Sequence, residues 1–172
     1  MAKTAVRKAE KEHKEPVGVR GFFRVKIINP DGSEAGDSGW QENVVVNLGF
    51  SQYLVTPLLG GAAKAVGRMV IGSGTNLATD ATALPGEITT SGSATNRVAV
   101  TTANVSSKTA RFTATWASSD SHLDAGVTIQ NIGLINDVTT AGTILCGKTY
   151  ATSAWGTNQD VQATYDVAFG TS

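Results

Sequence analysis

The sequence has few of the residue types on which catalytic and metal sites most often depend. Its 172 residues include one cysteine and two histidines. An internal disulfide framework is therefore excluded, and so are the paired Cys or His spacings that bind zinc. The thiol, Cys146, follows the apolar pair Ile144-Leu145, and this setting predicts a small buried side chain in a strand.

Long apolar stretches are missing as well. No run approaches the roughly 20 residues that a transmembrane helix needs. The N-terminus is charged and no apolar segment follows it, which argues against a signal peptide. We therefore expect a protein that is made in a cytoplasm, stays in solution until it meets a partner and does not bind membranes.

Charged residues make up only 16% of the chain, and their distribution is uneven although the net charge is zero. Residues 1–26 carry eight basic and three acidic groups, a net charge of +5. The remaining 146 residues carry six basic and eleven acidic groups, a net charge of −5. Such asymmetry is typical of an arm that binds an acidic surface, including the surface of a neighbouring copy.

Residues 1–18 differ in composition from the rest and are predicted to be a basic N-terminal arm, extended or helical, with Pro16 and Gly18 as its hinge. Isolated helices of this length are marginal in water, so a frayed tail is expected in a free monomer. The alternative is an arm that becomes ordered on docking. Four small apolar residues share one narrow helical stripe of the arm: Ala2, Ala5, Val6 and Ala9.

Partner binding is predicted for the basic residues of the arm, for the start of the first strand and for one tryptophan. Trp155 is flanked by small residues, and we expect it to be more exposed than Trp40 or Trp116. The arm has no aromatic residues between its basic ones, so nucleic acid is not the expected partner. The predicted contact residues are Lys3, Arg7, Lys8, Lys11, Lys14, Arg20 and Trp155.

Residues 19–172 have the pattern of a β domain. Phe23, Val25 and Ile27 alternate with basic residues, and Asn29-Pro30-Asp31-Gly32 predicts a tight turn. About eight such strands, separated by turns, predict a mainly β, two-sheet sandwich with one short helix. Jelly-roll connectivity is one option. The clearest later strands are Thr109–Trp116, Gly126–Ile135, Gly142–Tyr150 and Val161–Phe169.

The helix is predicted after the strand Asn43–Val46, as a lid or plug at one end of the β structure. Asn47 is placed at the N-cap, because its side chain can accept a hydrogen bond from an unpaired amide one turn later. Apolar residues follow at helical spacing, which predicts a buried face. Pro57 should end or kink the helix, and Gly60-Gly61 should turn the chain.

Two segments resemble catalytic or ligand-binding motifs without meeting their requirements. Residues 72–95 are rich in small residues and are predicted to be a long surface loop, with one short element at Thr82–Leu84. Its start, Ile71-Gly72-Ser73-Gly74-Thr75, lacks the Gly-Lys-Ser/Thr of a phosphate-binding loop.

The cluster Ser119–Asp124 holds His122, but adjacent residues do not form a triad. No catalytic residue, metal site or cofactor is predicted, although Asp120 and Asp124 could bind a cation weakly.

Several short motifs, in order, resemble small virion proteins of tailed bacteriophages. They are the helix start Asn47-Leu48-Gly49, the Gly60-Gly61 turn, the strand and loop Ile71–Thr75, Thr82-Ala83-Leu84, Glu87, the strand that begins at Arg97, and Ile129-Gln130-Asn131-Ile132-Gly133-Leu134. The resemblance covers roughly Trp40 to the C-terminus. It implies a structural role in the virion and does not by itself distinguish head from tail.

We expect a non-enzymatic structural protein in the virion, with a capsid decoration (cement) protein as the first hypothesis. A compact domain with one short arm suits a subunit that is repeated over a shell. The expected partners are the major capsid protein or tail proteins, and a homo-oligomer is expected, with a trimer as one candidate. The alternatives are a tail, collar or fibre-associated protein, and a receptor- or carbohydrate-binding module that uses Trp155 and the loop 72–95.

Overall fold

Two antiparallel sheets pack face to face around a core, as the sequence predicts. The fold comes from a computed structural model that describes residues 17–88, 90–91, 94–120, 128–139, 141–156 and 158–171. The arm residues Lys3, Arg7, Lys8, Lys11 and Lys14 lie outside the described residues, as do His122 and Asp124.

The strands range in length from two to twelve residues, and the longest are β1, β12 and β13. In chain order they are β1 Val17–Ile28, β2 Glu34–Asp37, β3 Gln41–Glu42, β4 Val44–Val45, β5 Arg68–Gly72, β6 Thr90–Ser91, β7 Ala94–Thr95, β8 Val98–Ala99, β9 Thr101–Ser106, β10 Thr109–Trp116, β11 Thr128–Ile135, β12 Ile144–Ala154 and β13 Asp160–Thr171. One 3₁₀ turn covers Ser118–Asp120.

The first sheet has the order β2-β1-β13-β10-β9, with β3 also paired to β1, and the second has the order β4-β12-β11-β5-β8. Strands β6 and β7 form a separate two-stranded ribbon. Hairpin partners β9 and β10 stay in one sheet, as do β11 and β12, whereas β12 and β13 lie in different sheets. The connectivity that the sequence left open is therefore a mixture of hairpins and crossings between the sheets.

The longest pairing joins the first and last strands of the described chain. β1 and β13 pair over twelve residues, from Val17 opposite Thr171 to Ile28 opposite Asp160, without a register shift. Residues 17 and 18, which the sequence analysis assigned to the arm, therefore belong to β1. The predicted turn follows β1: the amide of Gly32, at φ +83°, donates to the Asn29 carbonyl.

The main core lies between the two sheets and follows from the alternation in the strands. Phe23, Val25 and Ile27 are buried, while the basic residues between them face outward. The Phe23 ring stacks on Tyr165 at 5.7 Å between centroids and meets Tyr150 edge-on at 6.0 Å. Other large side chains that are fully buried are Trp116, Met69, Ile71, Ile129, Ile132 and Leu134.

A second, smaller core covers the outer face of the second sheet. Leu77 and Leu84, from the loop after β5, pack with Val70 of β5, Ile135 of β11 and Ile144 of β12. The second sheet is therefore covered on both faces, and β11 is buried at most of its positions. The prediction of a surface loop at residues 72–95 is wrong for this part, because its leucines complete a core.

The helix covers residues 47–58, and its start differs from the prediction by one residue. Val46 occupies the N-cap position, and no side chain caps the helix. Val46 is held extended because it is buried in the second core and its amide donates to Leu145. The Asn47 amide itself donates to the Thr79 carbonyl at 2.7 Å, so the loop pairs the first amide of the helix.

The middle of the helix is a π-helix, Phe50–Val55, between the α-helical turns Asn47–Gly49 and Thr56–Leu58. In an α-helix the Pro57 ring would clash with the carbonyl four residues earlier, and a wider turn relieves this clash. The helix ends at Leu58, next to Pro57, and Gly60, at φ +79°, turns the chain as predicted.

Cys146 lies in β12 with no exposed surface, as the sequence predicts. Burial raises the pKa of its thiol to about 12.

We therefore expect a thiol reagent to label the native protein only as fast as the protein opens, and labelling to become rapid in denaturant. Cys146→Ala should lower the free energy of unfolding by about 1 kcal/mol. Rapid labelling under native conditions would contradict this burial.

Candidate interaction surface

A buried ion pair joins the loop after β5 to the start of β8. The Arg97 side chain donates from Nε to Glu87 Oε1 at 2.6 Å and from Nη2 to Glu87 Oε2 at 2.9 Å. The two side chains are only 5% and 8% exposed. Nη1 of Arg97 also donates to the carbonyl oxygens of Asp137 and Thr139. One guanidinium thus connects three segments, in the bidentate geometry that suits arginine.

Side-chain amides of β11 hold the same loop from the other side. Asn131 donates from Nδ2 to the Pro85 carbonyl at 2.7 Å, and Gln130 donates from Nε2 to the Gly74 carbonyl at 3.1 Å. Gly86 has φ +60°, and an added Cβ at Gly74 would overlap with the Pro85 carbonyl. The glycines therefore allow the two halves of the loop to approach each other.

The motifs that resemble phage virion proteins thus form structural contacts. Glu87 pairs with Arg97, Leu84 fills the second core and Asn131 binds the loop. Gly49 brings the helix against β12, where a Cβ would overlap with the Leu145 carbonyl. These residues build the scaffold and lie away from solvent.

The outer face of the first sheet has paired charges. Arg20 Nε donates to Glu42 at 2.9 Å, Arg24 Nε donates to Asp37 at 2.9 Å, and Lys26 pairs with Glu34. The Arg24 guanidinium lowers the pKa of the Asp37 carboxyl to about 2. Exposed pairs of this kind add little stability, but they offset the charge of the predicted contact residue Arg20.

The three basic residues of β1 therefore have acidic partners on neighbouring strands. Residues 1–16 contain five basic and three acidic groups, a net charge of +2. With the three basic residues of β1 paired, the unpaired positive charge falls from the +5 of residues 1–26 to the +2 of residues 1–16. Electrostatic attraction through the arm alone should be modest.

Trp155 is buried, so the prediction that it is the exposed tryptophan is wrong. It is 6% exposed, and its Nε1 donates to the Gln159 carbonyl at 2.6 Å. Gln159 in turn donates to Asn29, which places Trp155 at the end of the sandwich that holds the 29–33 turn. The exposed tryptophan is Trp40, with the Arg111 guanidinium 5.7 Å from its ring centroid.

An apolar concavity lies at the opposite end of the sandwich, between the helix and the strands β1 and β13. We call it the helix groove. Its volume is about 570 Å³. All its lining residues are uncharged: Val19, Phe50, Tyr53, Leu54, Val55, Pro57, Leu58 and Phe169. A smaller recess of about 130 Å³ continues from it toward Lys64, Ala110 and Phe112.

Large apolar side chains around the groove are exposed. Leu58 is 85% exposed and Leu59 is 82% exposed, and Phe50, Val55 and Phe169 are each more than a third exposed. The Tyr53 hydroxyl donates to the Thr143 carbonyl, and burial raises its pKa above the usual range, so its hydroxyl stays neutral. The predicted buried helix is thus anchored at its start and open along its later residues.

One sequence signal could have identified this surface. Residues 47–58 contain no charged residue, and Leu58-Leu59 follow Pro57 directly, where the helix has to end. A helix without charged residues on its outer face is expected to be covered by other protein. Among the described residues of this helix, none from Phe50 to Leu58 is buried.

The described residues show no other arrangement with recognisable chemistry. Among them, no three His, Cys, Asp or Glu side chains come together as metal ligands. No helix in that part of the chain is long and apolar enough to cross a membrane. Comparison with protein-family models, with curated proteins and with solved structures gives no match.

The buried Arg97–Glu87 pair should matter far more for stability than an exposed pair. In Arg97→Met, the Glu87 carboxylate stays buried without its partner, and we expect a loss of about 3 to 5 kcal/mol in the free energy of unfolding. Arg111→Met is the matched control, because Arg111 pairs with Asp166 at 2.7 Å on a more exposed surface. We expect it to cost less than about 1 kcal/mol. Urea unfolding measures both, and equal losses would contradict the assigned role.

Proposed function

We propose that this chain is a non-enzymatic structural protein of a tailed-phage virion and that it attaches through the end of the sandwich that carries the helix groove. The observation that carries the proposal is the exposed, uncharged apolar surface at that end. Monomeric proteins rarely leave large contiguous apolar patches open unless the patch binds something. The assignment to a virion rests on the resemblance of the motifs in residues 47–134 to phage virion proteins.

The basic arm supports the same choice of surface. Val17, the first described residue, pairs with Thr171, and Val19 lines the helix groove. Residues 1–16 therefore join the domain beside the apolar surface. The arm thus starts beside the apolar surface, and a partner with an acidic surface around an apolar contact would suit both.

Within the virion we propose a capsid decoration protein that binds the major capsid protein, as a homo-oligomer with a trimer as the first candidate. A compact sandwich with one short arm can be repeated over a shell, each copy attaching in the same way. The alternative is a tail or collar protein in which the same end binds another component.

A receptor- or carbohydrate-binding module is not proposed. That hypothesis placed its site at Trp155 and the loop 72–95. Trp155 is buried, so its ring is not available to stack on a sugar. Leu77 and Leu84 hold the loop against the second sheet.

The number of copies in purified particles tests the proposal. A decoration protein should be present at a ratio close to that of the shell protein, and a tail or collar protein should be present in a small number set by the symmetry of the tail. Quantitative mass spectrometry of purified virions, with the major capsid protein as internal standard, measures this ratio. Absence of the chain from particles would contradict the proposed function.

A further inference from the structure

We propose that residues 1–16 dock as a helix in the helix groove of the same chain and cover it in the free protein. The groove lies where these residues join the domain: only Gly18 separates Val17, the first described residue, from Val19 in the groove wall. The inference does not depend on the virion assignment, since it concerns the isolated chain.

The arm is long enough for this role. As a helix, 16 residues span roughly 24 Å, and the 12 residues of the 47–58 helix span roughly 18 Å. Pro16 precedes β1 and cannot continue a helix into the strand, so the direction of the chain can change there. An arm that folds back at Pro16 is therefore long enough to reach along the groove, with its apolar stripe confined to residues 2–9.

In residues 2–9 the chemistry of the arm matches that of the groove, whereas Glu12 and His13 occupy the same helical face beyond Ala9. Ala2, Ala5, Val6 and Ala9 recur at the spacing of one helical face. Laying an amphipathic helix with its apolar face into an apolar groove is a common recognition mode. Small side chains also allow a close approach to the protruding Leu58.

At about 100° per residue, the basic residues of the arm fall on the side away from this stripe. Docking of the stripe would therefore leave them facing solvent, where they do not have to enter an uncharged groove. They are Lys3, Arg7, Lys8, Lys11 and Lys14. The docked arm would convert an apolar surface into a basic one.

Attachment to the same chain favours this occupant over a second copy. A tethered segment that starts at the groove has an effective concentration in the millimolar range, well above that of a separate molecule in dilute solution. The burial gained by four small side chains is limited, but the tether reduces the entropic cost of docking.

The first experiment uses the fluorescence of 1-anilinonaphthalene-8-sulfonate, a dye that binds exposed apolar surface. We expect weak fluorescence with the full chain and a several-fold increase with Val6→Glu, which places a charge on the stripe. Thr4→Glu is the matched control, because it adds the same charge on the opposite helical face. Equal fluorescence of the full chain and Val6→Glu, or an equal increase with both variants, would overturn the proposal.

A second experiment distinguishes the same chain from a second copy. Val6→Cys combined with Leu58→Cys, in a Cys146→Ala background, should form a disulfide within the monomer at any protein concentration when oxidised glutathione is added as the oxidant. Lys11→Cys with Leu58→Cys is the control and should form it several-fold more slowly, because Lys11 lies opposite the stripe. Mass spectrometry and non-reducing gels measure both products. Disulfides only between chains, with a yield that rises with protein concentration, would overturn the proposal and assign the groove to a second copy. The absence of any disulfide would overturn it as well.

Discussion

The buried pair of Arg97 and Glu87 is the interaction on which the arrangement of the second sheet depends. A charge that leaves water is costly unless it is paired and fully hydrogen-bonded, and here the guanidinium has a carboxylate and two carbonyl oxygens as partners. To meet this requirement, the loop after β5, the start of β8 and the turn after β11 have to come together. Their convergence closes the second core.

The same closure determines which surface is left open. With the second sheet covered by Leu77 and Leu84, and with the outer face of the first sheet bearing ion pairs, the exposed apolar residues of the described chain concentrate at the helix end. The helix has to sit there because Gly49 fixes its start against β12. The energetic cost of its uncharged, exposed residues is offset only when something covers them, and this is why we place both the arm and the partner at this end.

Local patterns were enough to predict the sandwich, the turn after β1 and the burial of Cys146. Each depends on alternation or on residues adjacent in sequence, which fix the direction of a side chain before the tertiary structure is known. The partner of Glu87, the true helix cap and the burial of Trp155 could not be predicted in this way. They depend on contacts between distant segments, such as the bond from the Asn47 amide to Thr79 or from Trp155 to Gln159 beside the 29–33 turn.

We propose attachment to the virion through the end that carries the helix groove, and amine-reactive cross-linking of intact virions tests this proposal most directly. Lys64, which lines the recess beside the groove, and the lysines of the arm should give cross-links to the shell protein. Lys26 is the internal control. It lies opposite Gln162 in the strand pairing, toward the far end of β1 and about 30 Å from Val17 along the strand. The account predicts cross-links from Lys64 and the arm and few from Lys26, whereas cross-links concentrated at Lys26 would contradict it.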